Sequence, residues 1–129
     1  MRPEAQAWMR QSEADWQAAQ GMRAAGFYFM VAFNVHQAVE KILKAAVVEL
    51  RREIPPRTHN LVELGRLLGV PEDIAALLRR LNPEYTISRY PDAANGIPAE
   101  QYDAERADEL LHMGERVIEW TRSALMAKD

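Results

Sequence analysis

Arg89 and Tyr90 are neighbours in the sequence Ser-Arg-Tyr-Pro-Asp at residues 88–92, and their side chains suit the recognition of a nucleotide. A guanidinium group donates paired hydrogen bonds to phosphate oxygens, and a phenol ring can stack on a base. The same arginine could instead hold its own segment against the rest of the protein through backbone carbonyls or through Glu40. The pattern therefore predicts either a ligand-binding site or a structural clamp at Arg89.

His36 and Glu40 stand four residues apart, about one turn of a helix, and an imidazole beside a carboxylate can carry out acid–base chemistry. The two side chains could also satisfy each other in the core or at a dimer interface. We favour this structural role. No metal site is predicted there, because the spacing lacks the further ligands that a metal requires.

Four other polar side chains could contact a phosphate. Gln37, Lys41 and Lys44 share a neighbouring face of the same predicted helix, for which exposure to solvent is the simpler interpretation. His59 follows Arg57 at the predicted start of another helix, where free backbone N–H groups attract anions and where ordinary capping is the alternative. The candidate nucleotide or phosphate ligands are Gln37, Lys41, Lys44, His59, Arg89 and Tyr90.

The composition excludes several classes of protein. The chain of 129 residues contains no cysteine, which rules out disulfides, thiolate metal sites and a cysteine nucleophile, and fits a cytoplasmic protein. Its net charge of −3 differs from the basic excess of a general nucleic-acid binder. No apolar run approaches the ~18 residues of a membrane span, and no glycine-rich phosphate loop is present. We predict no membrane association, no metal and no cofactor.

Helices must position these side chains. Apolar residues recur at steps of three and four, most clearly over residues 28–50, and no alternating strand pattern is present. A glycine-flanked break at 21–26 and the proline pair at 55–56 separate the elements, while Asn60 and Asp103 can act as N-caps. The predicted helices cover residues 3–20, 26–52, 60–69, 71–82 and 103–127. The predicted fold is an all-α, up-and-down bundle of four to five helices, forming one domain over residues 1–129.

The segment 83–102 is predicted to be an irregular loop. A loop of this length costs conformational entropy unless it is anchored to the domain. Its predicted anchors are Tyr85, Ile87, Tyr90 and Ile97.

Three segments, taken together, resemble the HEPN family. Residues 37–44, Gln-Ala-Val-Glu-Lys-Ile-Leu-Lys, are similar to the pattern of that family's second helix. The segment 58–64, Thr-His-Asn-Leu-Val-Glu-Leu, resembles the start of its short third helix, and 88–92 resembles its Arg-Tyr-Pro loop. The segments occur in the family's order and the resemblance covers nearly the whole chain. It implies that the Arg-Tyr-Pro loop lies against the second helix, so the expected neighbours of Arg89 and Tyr90 are Gln37, Glu40, Lys41 and Lys44.

The resemblance implies a helical bundle that often dimerises and is often encoded beside a minimal nucleotidyltransferase, in toxin–antitoxin-like pairs. Some members are metal-independent RNases with an Arg-x(4–6)-His motif, and others are proposed to bind nucleotides or partners. Arg52 with His59, and Arg106 with His112, match the spacing here. The first pair straddles the two prolines and lies outside the usual position. The second lies about 240° apart around a helix, so neither pair is predicted to be catalytic.

The leading hypothesis is a non-catalytic HEPN module that binds a nucleotide or a protein partner, acts as a homodimer and pairs with a nucleotidyltransferase. Self-association is predicted because helix 2 has a wide apolar arc and because Trp8 and Trp16 lie on helix 1, as aromatic residues are enriched at interfaces. An RNA-cleaving HEPN toxin is the first alternative. A helical dimer without a ligand is the second.

Overall fold

The computed structural model describes residues 1–127 and confirms the all-α prediction, with no strand in that range. The helices in chain order are α1 (Pro3–Ala25), α2 (Tyr28–Ala46), α3 (Leu61–Leu68), α4 (Glu72–Leu81), α5 (Glu84–Ile87), α6 (Pro91–Ala94), α7 (Pro98–Gln101) and α8 (Ala104–Ala127). A π-helical turn, Val47–Arg51, continues α2. The predicted second helix therefore exists, but its last residues change from α-helical to π-helical hydrogen bonding.

The core of the bundle is built around α2. This helix packs along α1 and α8 and also contacts α3, α5 and α7, so its wide apolar arc is covered within the chain. The closest approach is at Gly114 of α8, where a Cβ atom would lie 2.6 Å from Val35 of α2 and 3.0 Å from Trp16 of α1. Because Gly114 has no side chain, the three long helices can meet at this point.

The first helix is longer than predicted. It runs through Gly21 to Ala25 and ends at Gly26, which adopts the left-handed backbone that favours glycine, with φ of 82°. An internal glycine costs a helix only about 1 kcal/mol relative to alanine. Tertiary contacts of the last turn offset this cost, since Arg23 pairs with Asp108 at 2.8 Å and lies 5.5 Å from the centre of the Tyr28 ring.

Both predicted N-caps are present. The side-chain oxygen of Asn60 accepts hydrogen bonds from the backbone N–H groups of Val62 and Glu63, at 3.0 and 3.1 Å. Asp103 accepts one from the N–H of Arg106 at 2.8 Å, at the start of α8. These bonds satisfy donors that the first turn of a helix leaves free.

The prediction of an irregular loop over residues 83–102 is wrong. Three short helices, α5 to α7, occupy most of this segment. Pro91 and Pro98 are the first residues of α6 and α7, and Pro83 directly precedes α5. Proline suits the first turn of a helix because its missing N–H would have no partner there. The prolines therefore begin helices rather than interrupting them.

Two of the predicted anchors of this segment are also wrong, because Tyr90 and Ile97 are 47% and 55% exposed. The anchor is instead the buried carboxylate of Glu84. It accepts a hydrogen bond from the Tyr102 hydroxyl and pairs with Arg106 at 2.9 Å. Burial and the bond to Glu84 raise the pKa of the Tyr102 phenol, which therefore stays protonated as the donor. The start of α5 is thereby joined to the chain around the start of α8.

No helix within residues 1–127 combines the length and the apolarity needed to cross a membrane.

Candidate functional site

Glu40 of α2 is buried, with only 3% of the residue exposed, and its carboxylate holds His59. Its Oε1 atom accepts a hydrogen bond from Nδ1 of His59 at 2.9 Å, and its Oε2 atom pairs with Nζ of Lys44 at 3.1 Å. The bond to Glu40 places the proton of a neutral His59 ring on Nδ1. Nε2 is then the free basic nitrogen of a side chain that is 53% exposed.

His36 holds the backbone of His59 rather than pairing with Glu40. Its Nε2 atom lies 3.1 Å from the carbonyl oxygen of His59, and its Nδ1 atom lies 3.4 Å from the amide nitrogen of Gln37. Burial lowers the pKa of His36 to about 4, so the ring is neutral and donates through Nε2. The predicted structural role of His36 and Glu40 fits this geometry, but both residues act on a third one.

Tyr85 of α5 joins His59 to Arg89. The His59 and Tyr85 rings are stacked, with centroids 4.1 Å apart and planes inclined by 14°. The guanidinium carbon of Arg89 lies 4.3 Å from the centre of the same Tyr85 ring, 4.7 Å from that of Phe33 and 4.8 Å from that of Tyr90. An imidazole, a phenol and a guanidinium group therefore form one continuous surface.

The positive charge of Arg89 has no acidic partner within residues 1–127. Nε of the guanidinium donates to the backbone carbonyl of Tyr85 at 2.8 Å, which leaves the terminal nitrogens without a protein acceptor in that part of the chain. Contacts with three aromatic rings stabilise the cation without neutralising it. This environment keeps a planar donor group partly exposed and oriented, as recognition of an anion requires.

The expected convergence of Arg89 with the lysines of α2 does not occur. Lys41 pairs with Asp15 of α1 at 2.5 Å and also donates to Gln37 at 3.2 Å. Lys44 is buried and lies over the Trp8 ring, with its nitrogen 5.2 Å from the ring centre. Arg89 contacts α2 at Phe33, about two turns before Lys41 and three turns before Lys44, so the arginine and the lysines are separated along the helix axis. Of the six candidate ligands, the structure brings together His59, Arg89 and Tyr90.

The two arginine–histidine spacings lead to different surroundings. Arg106 pairs with Glu84 at 2.9 Å and lies 3.4 Å from Glu109, so its charge is used inside the fold, and His112 is an exposed residue of α8. Arg52 adopts a left-handed backbone just after the π-helical turn. Among residues 1–127, no group of three or more histidine, aspartate or glutamate side chains could hold a metal ion.

The family model for the HEPN domain matches residues 5–124. The chain belongs to the HEPN family. Two solved structures share this HEPN fold: TT1696 from Thermus thermophilus, with 28% identity and a TM-score of 0.82, and ST0689, described as an archaeal HEPN homologue, with 29% identity and a TM-score of 0.80. The first match covers 95% of this chain and 98% of that one, and the second covers 96% and 99%. No curated protein matches the chain.

The three segments that resemble HEPN proteins meet at one place in this HEPN domain. The first supplies Glu40, the second His59 and the third Arg89, and Tyr85 contacts both His59 and Arg89. Tyr85 was predicted only as an anchor of the loop. Its position four residues before Arg89, one helical turn away, is the sequence signal that could have identified it.

Proposed function

We propose that this HEPN domain binds a nucleotide at the surface formed by His59, Tyr85, Arg89 and Tyr90, hereafter the Arg89 surface. The observation that carries the proposal is the Arg89 guanidinium, which is oriented by three aromatic rings and has no carboxylate partner within residues 1–127. Its terminal N–H groups would bind phosphate oxygens in pairs. Tyr90, with 47% of the residue exposed, offers a ring on which a base can stack.

Replacing Arg89 with alanine is expected to weaken the binding of ATP or AMP about tenfold or more, because a charge-assisted paired contact is lost. Arg89→Lys should give an intermediate affinity, since lysine keeps the charge but not the planar fork. Isothermal titration measures both variants. Arg122→Ala is the matched control, because Arg122 is a half-exposed arginine of α8 whose nearest carboxylate oxygen is 3.8 Å away.

Equal nucleotide affinity in wild type and Arg89→Ala, together with a lower melting temperature of the variant, would show that Arg89 is a structural clamp and that the proposed site is wrong.

We further propose that the domain is a non-catalytic homodimer that pairs with a minimal nucleotidyltransferase in a toxin–antitoxin-like system in the cytoplasm. Membership of the HEPN family and the cysteine-free chain support this part. The wide apolar arc of α2 does not support a dimer, because other helices of the same chain cover it. Phe27 and Ile54 are among the exposed large apolar side chains that a partner could cover. Light scattering at tens of micromolar protein should show a dimer, and a monomer would contradict it.

RNA cleavage without a metal is the second candidate, and the bond between Glu40 and His59 favours it. A buried carboxylate that holds Nδ1 leaves Nε2 of an exposed imidazole ready to accept a proton. We nevertheless expect no cleavage of single-stranded RNA in EDTA, because Arg106, the arginine of the motif-like spacing in α8, is already paired with Glu84 and Glu109. Cleavage that disappears in His59→Ala would establish this second function, and cleavage that disappears in His112→Ala would assign it to α8.

A further inference from the structure

A cavity separate from the Arg89 surface lies between the start of α1, the π-helical turn after α2 and the following proline pair. Its volume is about 550 Å³, which is within the usual range for sites that hold a small molecule. It is lined by Trp8, Lys44, Val48, the two prolines and Ile54, with basic side chains at its edge. None of the side chains that form the Arg89 surface lines this cavity.

Basic side chains outnumber acidic ones around this cavity. Four basic residues line it, Arg2, Lys44, Arg52 and Arg57, against the two acids Glu4 and Glu53. Glu49, which does not line the cavity, accepts a hydrogen bond from the backbone N–H of Arg2 at 2.7 Å. Neither Arg52 nor Arg57 has a carboxylate within 4 Å among residues 1–127. An anion in the cavity would therefore meet guanidinium groups that are not already paired.

Lys44 distinguishes this cavity from an ordinary basic surface. Its side chain is 7% exposed, yet it lines the cavity with its nitrogen 5.2 Å from the centre of the Trp8 ring. A buried ammonium group is costly unless it is paired, and the only carboxylate that pairs with it within residues 1–127 is Glu40, which it shares with His59. Because the carboxylate of Glu40 is also hydrogen-bonded to His59, a ligand anion in the cavity could still be attracted by the charge of Lys44.

The backbone beside the cavity is in an uncommon conformation. Arg52 has φ of 55° and ψ of 41°, in the left-handed region that non-glycine residues rarely adopt, directly after the π-helical turn. Both features are found more often at functional sites than elsewhere. Ile54 is 93% exposed, so an apolar ligand lying beside it would remove an isoleucine from water.

We propose that this cavity binds a small organic anion with a flat apolar body and one phosphate or carboxylate group. The apolar body would lie against Trp8, Ile54 and the proline pair, which are the aromatic and aliphatic part of the cavity lining. The anionic group would meet Arg52 and Arg57, with Lys44 adding charge from the wall. The proposal does not depend on the function assigned to the Arg89 surface.

The test uses 1-naphthyl phosphate, which combines the two parts, titrated by calorimetry into the full chain. We expect saturable binding below about 1 mM, with 1-naphthol and inorganic phosphate each at least about tenfold weaker. Titration of 1-naphthoate compares a carboxylate with a phosphate as the anionic group. No saturable binding of either naphthyl anion, or binding of inorganic phosphate with equal affinity, would overturn the proposal.

Variants then locate the site. The double variant Arg52→Asn, Arg57→Ala should weaken binding of the preferred naphthyl anion about tenfold or more, and asparagine at 52 keeps a residue that tolerates the left-handed backbone. Ile54→Ser, at a fully exposed position, tests the apolar part and should also weaken binding. Arg122→Ala, at an arginine of α8 that lines neither this cavity nor the Arg89 surface, should leave the affinity unchanged. Unchanged binding in the double variant, or an equal loss in Arg122→Ala, would show that the anion does not bind in this cavity.

Discussion

Glu84→Leu is expected to lower the free energy of unfolding by about 2 to 3 kcal/mol, because it removes the buried acceptor of two side chains. The Tyr102 hydroxyl would lose its partner in a half-buried position, whereas Arg106, whose side chain is 36% exposed, could turn partly to water. For a domain of this size the melting temperature should fall on the order of 10 °C. Urea unfolding followed by circular dichroism measures the change.

Two substitutions separate the contributions at Glu84. Glu84→Gln keeps an oxygen acceptor and should cost less than half as much as leucine, and Tyr102→Phe should cost about 1 kcal/mol. Glu72→Ala is the control at an exposed ion pair with Arg79 and should have almost no effect. If Glu84→Leu were as stable as Glu72→Ala, the contacts of Glu84 with Tyr102 and Arg106 would not be the anchor of the α5–α7 segment.

Lowering the pH from 7 to 5 is expected to remove about 2 kcal/mol of stability through His36 alone. Burial lowers the pKa of His36 from 6.5 to about 4 in the folded chain. Below pH 6.5 the unfolded chain therefore binds a proton that the folded chain does not, and stability falls as pH falls. The loss continues to about pH 4, where it reaches about 3 kcal/mol and then levels off.

His36→Gln provides the reference for this pH effect, because glutamine can still donate to the carbonyl of His59 but does not titrate. Chemical unfolding of both proteins at pH 7, 6 and 5 gives the difference between them at each pH. Carboxylate titrations contribute equally to the two curves and cancel. A difference that stays constant across this range would show that His36 is not held neutral by burial.

Much of the fold could be predicted because its signals are local. The apolar period of α2 and the capping side chains Asn60 and Asp103 act within a few residues of where they stand. The end of α1 could not be placed in this way, since Arg23 contacts Asp108 of α8 and Met22 packs against the core, and these tertiary contacts together offset the local cost of Gly21. The short helices α5 to α7 could not be predicted in this way, because a proline can either end a helix or begin one, and only the surrounding packing decides between the two.

The sequence predicts most residues of the candidate site but not the contacts between them. Glu40 and His36 were recognised as a pair one helical turn apart, but helical spacing alone does not show that both point at His59, which follows Glu40 by 19 residues. The HEPN resemblance predicts that Lys44 and Arg89 are neighbours, because it places the Arg-Tyr-Pro loop against the helix that carries Lys44. They are separated in the tertiary structure, because α1 and α5 pack against different parts of α2.

The two oxygens of Glu40 connect the cavity with the Arg89 surface. One oxygen holds Lys44 on the wall of the cavity and the other holds His59 at the Arg89 surface. An anion that draws Lys44 away would leave Glu40 to His59 alone and strengthen that ion pair when the imidazole is protonated. Thermodynamic linkage makes the effect reciprocal: a ligand that changes the charge of His59 must alter, by the same coupling free energy, the affinity for an anion at Lys44.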